Sequence, residues 1–310
     1  MKLTRFSGNP VISPSKNWWE TKATFNPGVT AFQDKIVLLY RSLGGDSISR
    51  FGWAESSDGI HFKRNEDPVF EGEAENPYER LGVEDPRISL IEGTYYICYT
   101  APSVYPASVY HTGKFAPSIE RPAPWRVRPS LLTTVDFKTF ERKGILIDID
   151  TKDAAFFPEK IAGNWALLHR AYPNLYLAAS RDLKNWERQF VLASPRENSW
   201  DQERVGAGAP PLKTEKGWLL FYHGTSKNHQ YMIGVLILDL ADPTKILYRS
   251  SEPLLVPETN YEKEGLTPNV VFTCGAIEWQ DHYLVYYGAA DKVIGLAYIM
   301  KEELLNSLQI

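Results

Sequence analysis

The sequence predicts an all-β protein, a five-bladed β-propeller, and two observations carry that prediction. The 310 residues include 21 Gly and 21 Pro spread along the whole chain, and 13% are aromatic. This composition suits many short strands and turns better than long helices. In addition, one strand-like pattern recurs five times, and internal repetition of this size marks stacked or radial architectures.

The first copy is Lys35-Ile36-Val37-Leu38-Leu39-Tyr40-Arg41 and the second is Thr94-Tyr95-Tyr96-Ile97-Cys98-Tyr99-Thr100. The third and fourth are Asn164-Trp165-Ala166-Leu167-Leu168-His169-Arg170 and Gly217-Trp218-Leu219-Leu220-Phe221-Tyr222-His223. The fifth is His282-Tyr283-Leu284-Val285-Tyr286-Tyr287-Gly288. All are rich in β-formers, and each follows a short turn-like pair such as Gln33-Asp34 or Glu92-Gly93. A second pattern precedes each copy: Asn26-Pro27, Asp85-Pro86, Phe157-Pro158, Ala209-Pro210 and Phe272-Thr273. Proline suits the first residue of a strand. A third pattern, an acidic turn before an apolar residue, follows three of the copies at Asp58, Asp136 and Asp182, with a weaker example at Asp242. Measured between Tyr40, Tyr99, His169, Tyr222 and Tyr287, the period is 59, 70, 53 and 65 residues. That fits four-stranded blades with variable loops; a β-sandwich with coincidental similarity is the competing arrangement. The whole of 1–310 is expected to form one catalytic propeller. Residues 102–129 hold six prolines and break the rhythm, so an insertion forming a long ordered loop rather than a strand is expected there. Only Glu302-Glu303-Leu304-Leu305 resembles a short C-terminal helix.

Several function classes are disfavoured. Lys and Arg number 34 against 38 Asp and Glu, a net charge of −4, which argues against nucleic acid or an anionic membrane as partner. Cys98 and Cys274 provide neither a disulfide framework nor zinc spacing. No apolar run reaches the length of a membrane span, and Met1-Lys2-Leu3-Thr4-Arg5 lacks a signal-peptide core; the expected location is the cytoplasm. Gly206-Ala207-Gly208-Ala209 lacks the lysine and strand–helix context of a phosphate loop. Neither a His-Glu-x-x-His zinc motif nor a Gly-x-Ser-x-Gly elbow occurs.

In a propeller, equivalent positions of different blades face one another at the channel mouth. The residues before the matched proline position are Asn26, Asp85, Phe157, Ala209 and Phe272. Those after the anchors are Arg41, Thr100, Arg170, His223 and Gly288. A carboxylate, two arginines and a histidine thus converge, the makings of an anion pocket, since guanidinium matches phosphate or carboxylate oxygens bidentately. Each also has a plain structural role open to it: Asp85 can close a turn with Pro86, the arginines can bridge blades, and His223 can be a core histidine. Trp18-Trp19, Phe157 and Phe272 are candidates for stacking on sugar faces, although most aromatics must be core.

With these motifs the sequence resembles glycoside hydrolase family 130, the β-mannoside phosphorylases and β-mannosidases. The resemblance runs from about Asn9 to Ile299. It is carried by Phe25-Asn26-Pro27-Gly28, Gly82-Val83-Glu84-Asp85-Pro86-Arg87, Lys152-Asp153 through Pro158-Glu159-Lys160, and Leu168-His169-Arg170. Further on it includes Gly206-Ala207-Gly208-Ala209-Pro210-Pro211, Tyr222-His223-Gly224, Pro268-Asn269-Val270-Val271-Phe272 and Gly288-Ala289-Ala290-Asp291. The resemblance implies a five-bladed propeller and a single inverting displacement in which phosphate attacks a β-mannoside and α-mannose 1-phosphate leaves. It implies Asp85 as the general acid, acting through the mannosyl 3-hydroxyl. It also implies phosphate binding by Arg41, Lys152 and His223, with Arg170, Lys160 and Tyr231 as further candidates, and substrate binding by Asn26, Arg87 and Asp291. No metal or cofactor is implied beyond inorganic phosphate as co-substrate. Two alternatives remain: an inverting β-mannosidase using Glu159 and Glu203, and a non-catalytic sugar-binding propeller. A homo-oligomer with the proline-rich stretch at its interface is a further expectation.

Overall fold

The computed structural model describes residues 1–106, 124–308 and 310. The described strands form five antiparallel sheets, the blades of a propeller. Blade 1 contains Ala23–Phe32, Lys35–Leu43, Ser49–Ser56 and Lys63–Arg64. Blade 2 contains Glu84–Ile91, Thr94–Val104, Trp125–Thr134 and Glu141–Ile145. Blade 3 contains Lys152–Phe156, Trp165–Ala171, Asn174–Ser180 and Trp186–Ala193. In blade 4 both Arg204–Ala207 and Leu212–Thr214 pair with Gly217–Thr225, followed outward by Tyr231–Leu238 and Ile246–Arg249. Blade 5 contains Val271–Trp279, His282–Ala289 and Val293–Met300, and its outermost strand is Thr4–Arg5 from the other end of the chain.

The turn-like pairs of the sequence are the first hairpins of the blades. Gln33 and Asp34, Glu92 and Gly93, and Ala162 and Gly163 all have positive φ, the conformation of the two-residue turns that match strand twist. Beyond these turns the blades pack face to face. Val37 and Leu39 join Ile88, Ile97 and Tyr99 between blades 1 and 2, while Ile36, Leu38 and Tyr40 join Tyr286 and Leu296 between blades 1 and 5. Successive residues of one strand therefore serve opposite neighbours. This is why the copies read as continuous apolar runs instead of alternating ones.

The repeated Tyr has a buried partner. Tyr40 donates to Glu20 at 2.8 Å, Tyr99 to Glu79, Tyr222 to Asp201 at 2.8 Å and Tyr287 to Glu262 at 2.9 Å. Each carboxylate lies on the connector leading into its blade. Each also meets an arginine of the same blade's outermost strand: Arg64, Arg142, Arg249 and Arg5. This clasp ties the entering connector to the second and fourth strands. In blade 3 the anchor is His169, and Thr151 Oγ1 lies 2.8 Å from its Nδ1 instead of a carboxylate. Burial pushes the His169 pKa down to about 4, so this clasp is neutral.

Three expectations are corrected. The stretch 102–129 is not a loop throughout: Pro102 pairs with Val127 and Val104 with Trp125 as a continuation of the blade 2 hairpin. Its middle, 107–123, lies outside the described residues. The C-terminal helix is present as Lys301–Ser307, but a second short helix, Asn260–Lys263, supplies Glu262 to the blade 5 clasp. Finally, the proline pattern misplaced the inner strands of blades 3 to 5. Arg41, Thr100, Arg170, His223 and Gly288 do occupy equivalent places, opposite Phe25, Glu84, Lys152, Gly206 and Phe272. The residues that follow are Asn26, Asp85, Asp153, Ala207 and Thr273, not Phe157, Ala209 and Phe272. Phe157 is a core residue packed on Trp218.

Candidate active site

In blades 1, 2 and 3 the inner strand carries a one-residue bulge at the same level, between Phe25 and Gly28, Glu84 and Arg87, and Lys152 and Ala155. The first residue of each bulge has positive φ: Asn26 at 48°, Asp85 at 54° and Asp153 at 57°. Asn and Asp tolerate this region because their short polar side chains bond locally. The bulges re-aim these three polar side chains toward the axis, a common use of bulges beside active sites.

Asp85 is nearly buried. Its Oδ1 accepts from Asn26 Nδ2 at 2.9 Å and from Arg41 Nη1 at 3.4 Å. Arg41 also binds Glu84 at 2.6 Å through Nη2 and Ser49 Oγ at 2.9 Å through Nε. Asn26 can approach this closely because Gly288 stands beside it; a Cβ there would lie 2.0 Å from Asn26 Oδ1. Two more carboxyls crowd the acid. Burial pushes the Glu84 pKa up, Arg41 opposes it and the Asp85 charge adds to it. Burial likewise raises Asp291, against its hydrogen bond with Thr267 and the pull of Arg41.

A second group gathers around Asp153, a residue the repeat pattern had not singled out. Arg170 Nε lies 2.7 Å and His223 Nε2 3.4 Å from its Oδ2, and Arg87 Nη2 lies 3.3 Å from its Oδ1. Burial alone would raise the Asp153 pKa, but Arg170 and then Arg87 hold it well below the usual carboxylate range. His223 is pushed far down by burial despite Asp153, so its imidazole is neutral at pH 7. Neither His223 nitrogen has a hydrogen-bond partner among the described residues. Its ring packs on Phe272 at 4.6 Å and near Tyr231 at 5.9 Å. Gly206 admits it, since a Cβ there would sit 2.5 Å from the ring. Lys152, half-buried and in register with Arg170, acts electrostatically on Glu84, Asp153, His223 and Asp291. Arg204, also absent from the expected set, donates to the Tyr231 hydroxyl at 3.1 Å.

The structure thus sorts the expected residues into two groups. Asn26, Arg41, Asp85 and Asp291 surround the acid; Lys152, Arg170, His223 and Tyr231 form the basic side. Arg41, expected to hold phosphate, bonds to the acid Asp85 and to Glu84, and it shares the neighbouring carboxyls Glu84 and Asp291 with the charge of Lys152. Arg87, expected to contact substrate, packs between the two groups. It is 1% exposed, and donates to the carbonyls of Gly208, Asp85 and Ala207 as well as to Asp153. It ties the two groups together from beneath. Glu159 and Lys160 lie outside the site: both are exposed, Glu159 pairs with Lys213 at 2.7 Å, and Lys160 sits over Trp165.

A family model described as β-1,4-mannooligosaccharide phosphorylase, the model of glycoside hydrolase family 130, matches residues 4–310. The chain belongs to glycoside hydrolase family 130. Among curated relatives, a 1,2-β-oligomannan phosphorylase of Thermoanaerobacter sp. (strain X514) is 41% identical over 98% of this chain and 99% of its own. A β-1,2-mannobiose phosphorylase of the same organism is 40% identical over 97% and 98%. The solved structure of the Listeria innocua β-1,2-mannobiose phosphorylase with β-1,2-mannobiose superposes with a TM-score of 0.85 at 29% identity, covering 100% of this chain and 99% of that one. For this family 130 chain, no described helix is long and apolar enough to cross a membrane.

Proposed function

We propose that this chain is an inverting phosphorylase of β-1,2-linked oligomannosides that releases α-mannose 1-phosphate. The observation that carries this reading is the division of the mouth into an acid held by Asn26 and Arg41 and a separate buried basic group. One phosphate oxygen bonds to the anomeric carbon as the bond to the departing oxygen breaks, and the departing oxygen takes a proton. Both hydrogen bonds to the Asp85 carboxylate among the described residues fall on Oδ1, which leaves Oδ2 as the oxygen from which the acid delivers its proton. It passes by way of the mannosyl 3-hydroxyl, the route the family resemblance implies. Lys152, Arg170 and Arg204 supply the charge that phosphate needs, and the Tyr231 hydroxyl lies within reach of Arg204. The neutral His223 offers one ring N–H as donor. Its buried Nδ1 has no partner among the described residues, and an oxyanion bound there returns the folding free energy this costs when that nitrogen carries the hydrogen.

The β-1,2 linkage follows the relatives at 41% and 40% identity. The hydrolytic alternative loses Glu159 to the surface and rests on Glu203 alone. We invoke phosphate as co-substrate and no cofactor, and a cytoplasmic location, where a sugar phosphate is retained. The deciding experiment is product analysis with β-1,2- and β-1,4-mannobiose, each with and without phosphate. Phosphate-dependent α-mannose 1-phosphate from the β-1,2 substrate is the expected result. Free mannose at an equal rate without phosphate would establish hydrolysis, and binding without turnover would establish a sugar-binding propeller.

A further inference from the structure

We propose that Trp18 is a fixed stacking platform for a sugar unit of the mannoside chain beyond the two units that meet at the reaction centre. This rests on the phosphorylase reading above. Trp18 is 57% exposed, whereas its neighbour Trp19 is fully buried and donates its indole N–H to the Glu66 carbonyl at 2.8 Å. A single exposed apolar residue needs no explanation by itself. Trp18 is different because its ring is held.

Arg50 lies under the indole, its guanidinium carbon 4.5 Å from the ring centroid. Arg50 cannot swing: Nη1 and Nη2 bind Asp46 at 3.1 and 2.7 Å, Nε binds Glu71 at 2.6 Å, and Nη1 also reaches the Ile48 carbonyl. The backbone is fixed as well. Trp18 is pressed against the Gly44 turn, where a Cβ would lie 2.4 Å from the Trp18 carbonyl oxygen. One indole face is therefore backed by a locked cation, and a large part of the side chain is open to solvent. A pyranose presents C–H groups on one side of its ring, and these suit the electron-rich face of an indole. Fixing the platform in advance reduces the ordering cost of binding.

Its position suits a departing chain. Trp18 lies on the connector that enters blade 1 at Ala23, three residues before Asn26. The Gly44 turn joins the strand carrying Arg41 to the strand carrying Arg50, so it stands at the mouth end of blade 1. Arg50 is on the third strand, about 10 Å outward from the inner strand by the usual strand spacing. The basic group belongs to blades 3 and 4, which lie across the axis from blade 1. An inverting displacement puts the attacking phosphate and the departing chain on opposite faces of the sugar. The chain then leaves toward the rim that carries Trp18.

The test compares wild type, Trp18→Ala and Trp18→Tyr on β-1,2-mannobiose and β-1,2-mannotetraose at saturating phosphate. For Trp18→Ala, KM for the tetraose should rise about tenfold, the scale on which losing an aromatic anchor is felt. KM for mannobiose and kcat for both should stay within twofold, and Trp18→Tyr should recover most of the loss. Equal changes for both substrates, no change for either, or a changed oligomeric state in gel filtration would overturn the proposal. Should Trp18→Ala fail to fold, Trp18→Tyr against Trp18→Ser gives the same comparison. Should the wild type show no phosphorolysis, the function fails but the platform remains testable. Calorimetric titration with mannotetraose should then lose its heat in the Trp18 variant, and unchanged affinity would refute it.

Discussion

Replacing Asp201 by Asn should cost the protein about 3 kcal/mol without touching the reaction centre. Asp201 is fully buried and holds three donors: Arg196 through both oxygens at 3.0 Å, Arg249 at 2.6 Å and the Tyr222 hydroxyl at 2.8 Å. Removing one partner of a buried ion pair costs about 3–5 kcal/mol because the opposite charge is left uncompensated. The lower end applies here. The Arg196 and Arg249 side chains are 30% and 14% exposed and reach some water, and the amide still accepts from Tyr222. Unfolding entropy of about 2.1 cal/mol/K per residue amounts to about 0.65 kcal/mol/K for this length, so the melting temperature should fall by about 5 °C. Tyr222→Phe deletes two hydrogen bonds, the one donated to Asp201 and the longer one accepted from Arg249 Nε at 3.3 Å, but leaves Asp201 paired, and should lower it by about 2–3 °C. The pH dependence has a definite sign. Burial raises the Asp201 pKa, but Arg196 and Arg249 more than offset it, so the folded value lies below the ordinary one. The stabilisation is therefore complete above the unfolded carboxylate pKa near 4 and fades as pH falls below it. Scanning calorimetry from pH 7 to pH 3 should show the gap between wild type and Asp201→Asn closing below about pH 4. A variant that melts within 1 °C of wild type at pH 7 would refute the reasoning, as would a gap that widens in acid.

Other outcomes follow from the site. Asp85→Asn should lower kcat by about 10²–10⁴ while sugar binding remains measurable by calorimetry. His223→Ala should raise KM for phosphate more than KM for the mannoside. Arg41→Ala, which removes a contact to Asp85, should lower kcat with little change in KM for phosphate; initial rates over both substrates separate the two. Gly288→Ala places a methyl against Asn26 and should reduce kcat/KM by about 10–100-fold, with melting shifted by only a few degrees.

The fold was legible because the repeat is long and each copy carries an aromatic or His at one fixed place. That place is conspicuous for a physical reason: the ring sits in the inter-blade core while its polar atom reaches a buried partner on the connector. The repeat reading passed over the partners. Glu20, Glu79, Asp201 and Glu262 precede their anchors by 20, 20, 21 and 25 residues, and each directly follows an aromatic residue (Trp19, Tyr78, Trp200 and Tyr261), which was the available signal. Asp85 was found because proline marks its bulge, and Asn26 for the same reason. Asp153 was missed because its bulge continues into Ala154, and the proline that drew attention, Pro158, lies beyond the strand. Its position between Lys152 and an apolar run was the available signal. Arg87 is a different case. Its motif is plain in sequence, but only the fold shows that it donates four hydrogen bonds, to carbonyls of blades 2 and 4 and to Asp153.

The pairing of Thr4–Arg5 with blade 5 imposes an order on biosynthesis. Thr4 is translated almost 300 residues before Tyr298, its partner across the sheet. Arg5 has no Glu262 until the connector into blade 5 is made, and no strand edge to pair with until Val293–Met300 follows. Blades 1 to 4 can each assemble from contiguous chain as it emerges from the ribosome. The ring, by contrast, shuts only when segments made almost 300 residues apart meet. A nascent chain halted within blade 5 would carry Thr4–Arg5 unpaired, and an exchange of this short strand between two such chains would satisfy the same bonds. The closing strand is thus both the latch of the monomer and the point at which two copies could become entangled.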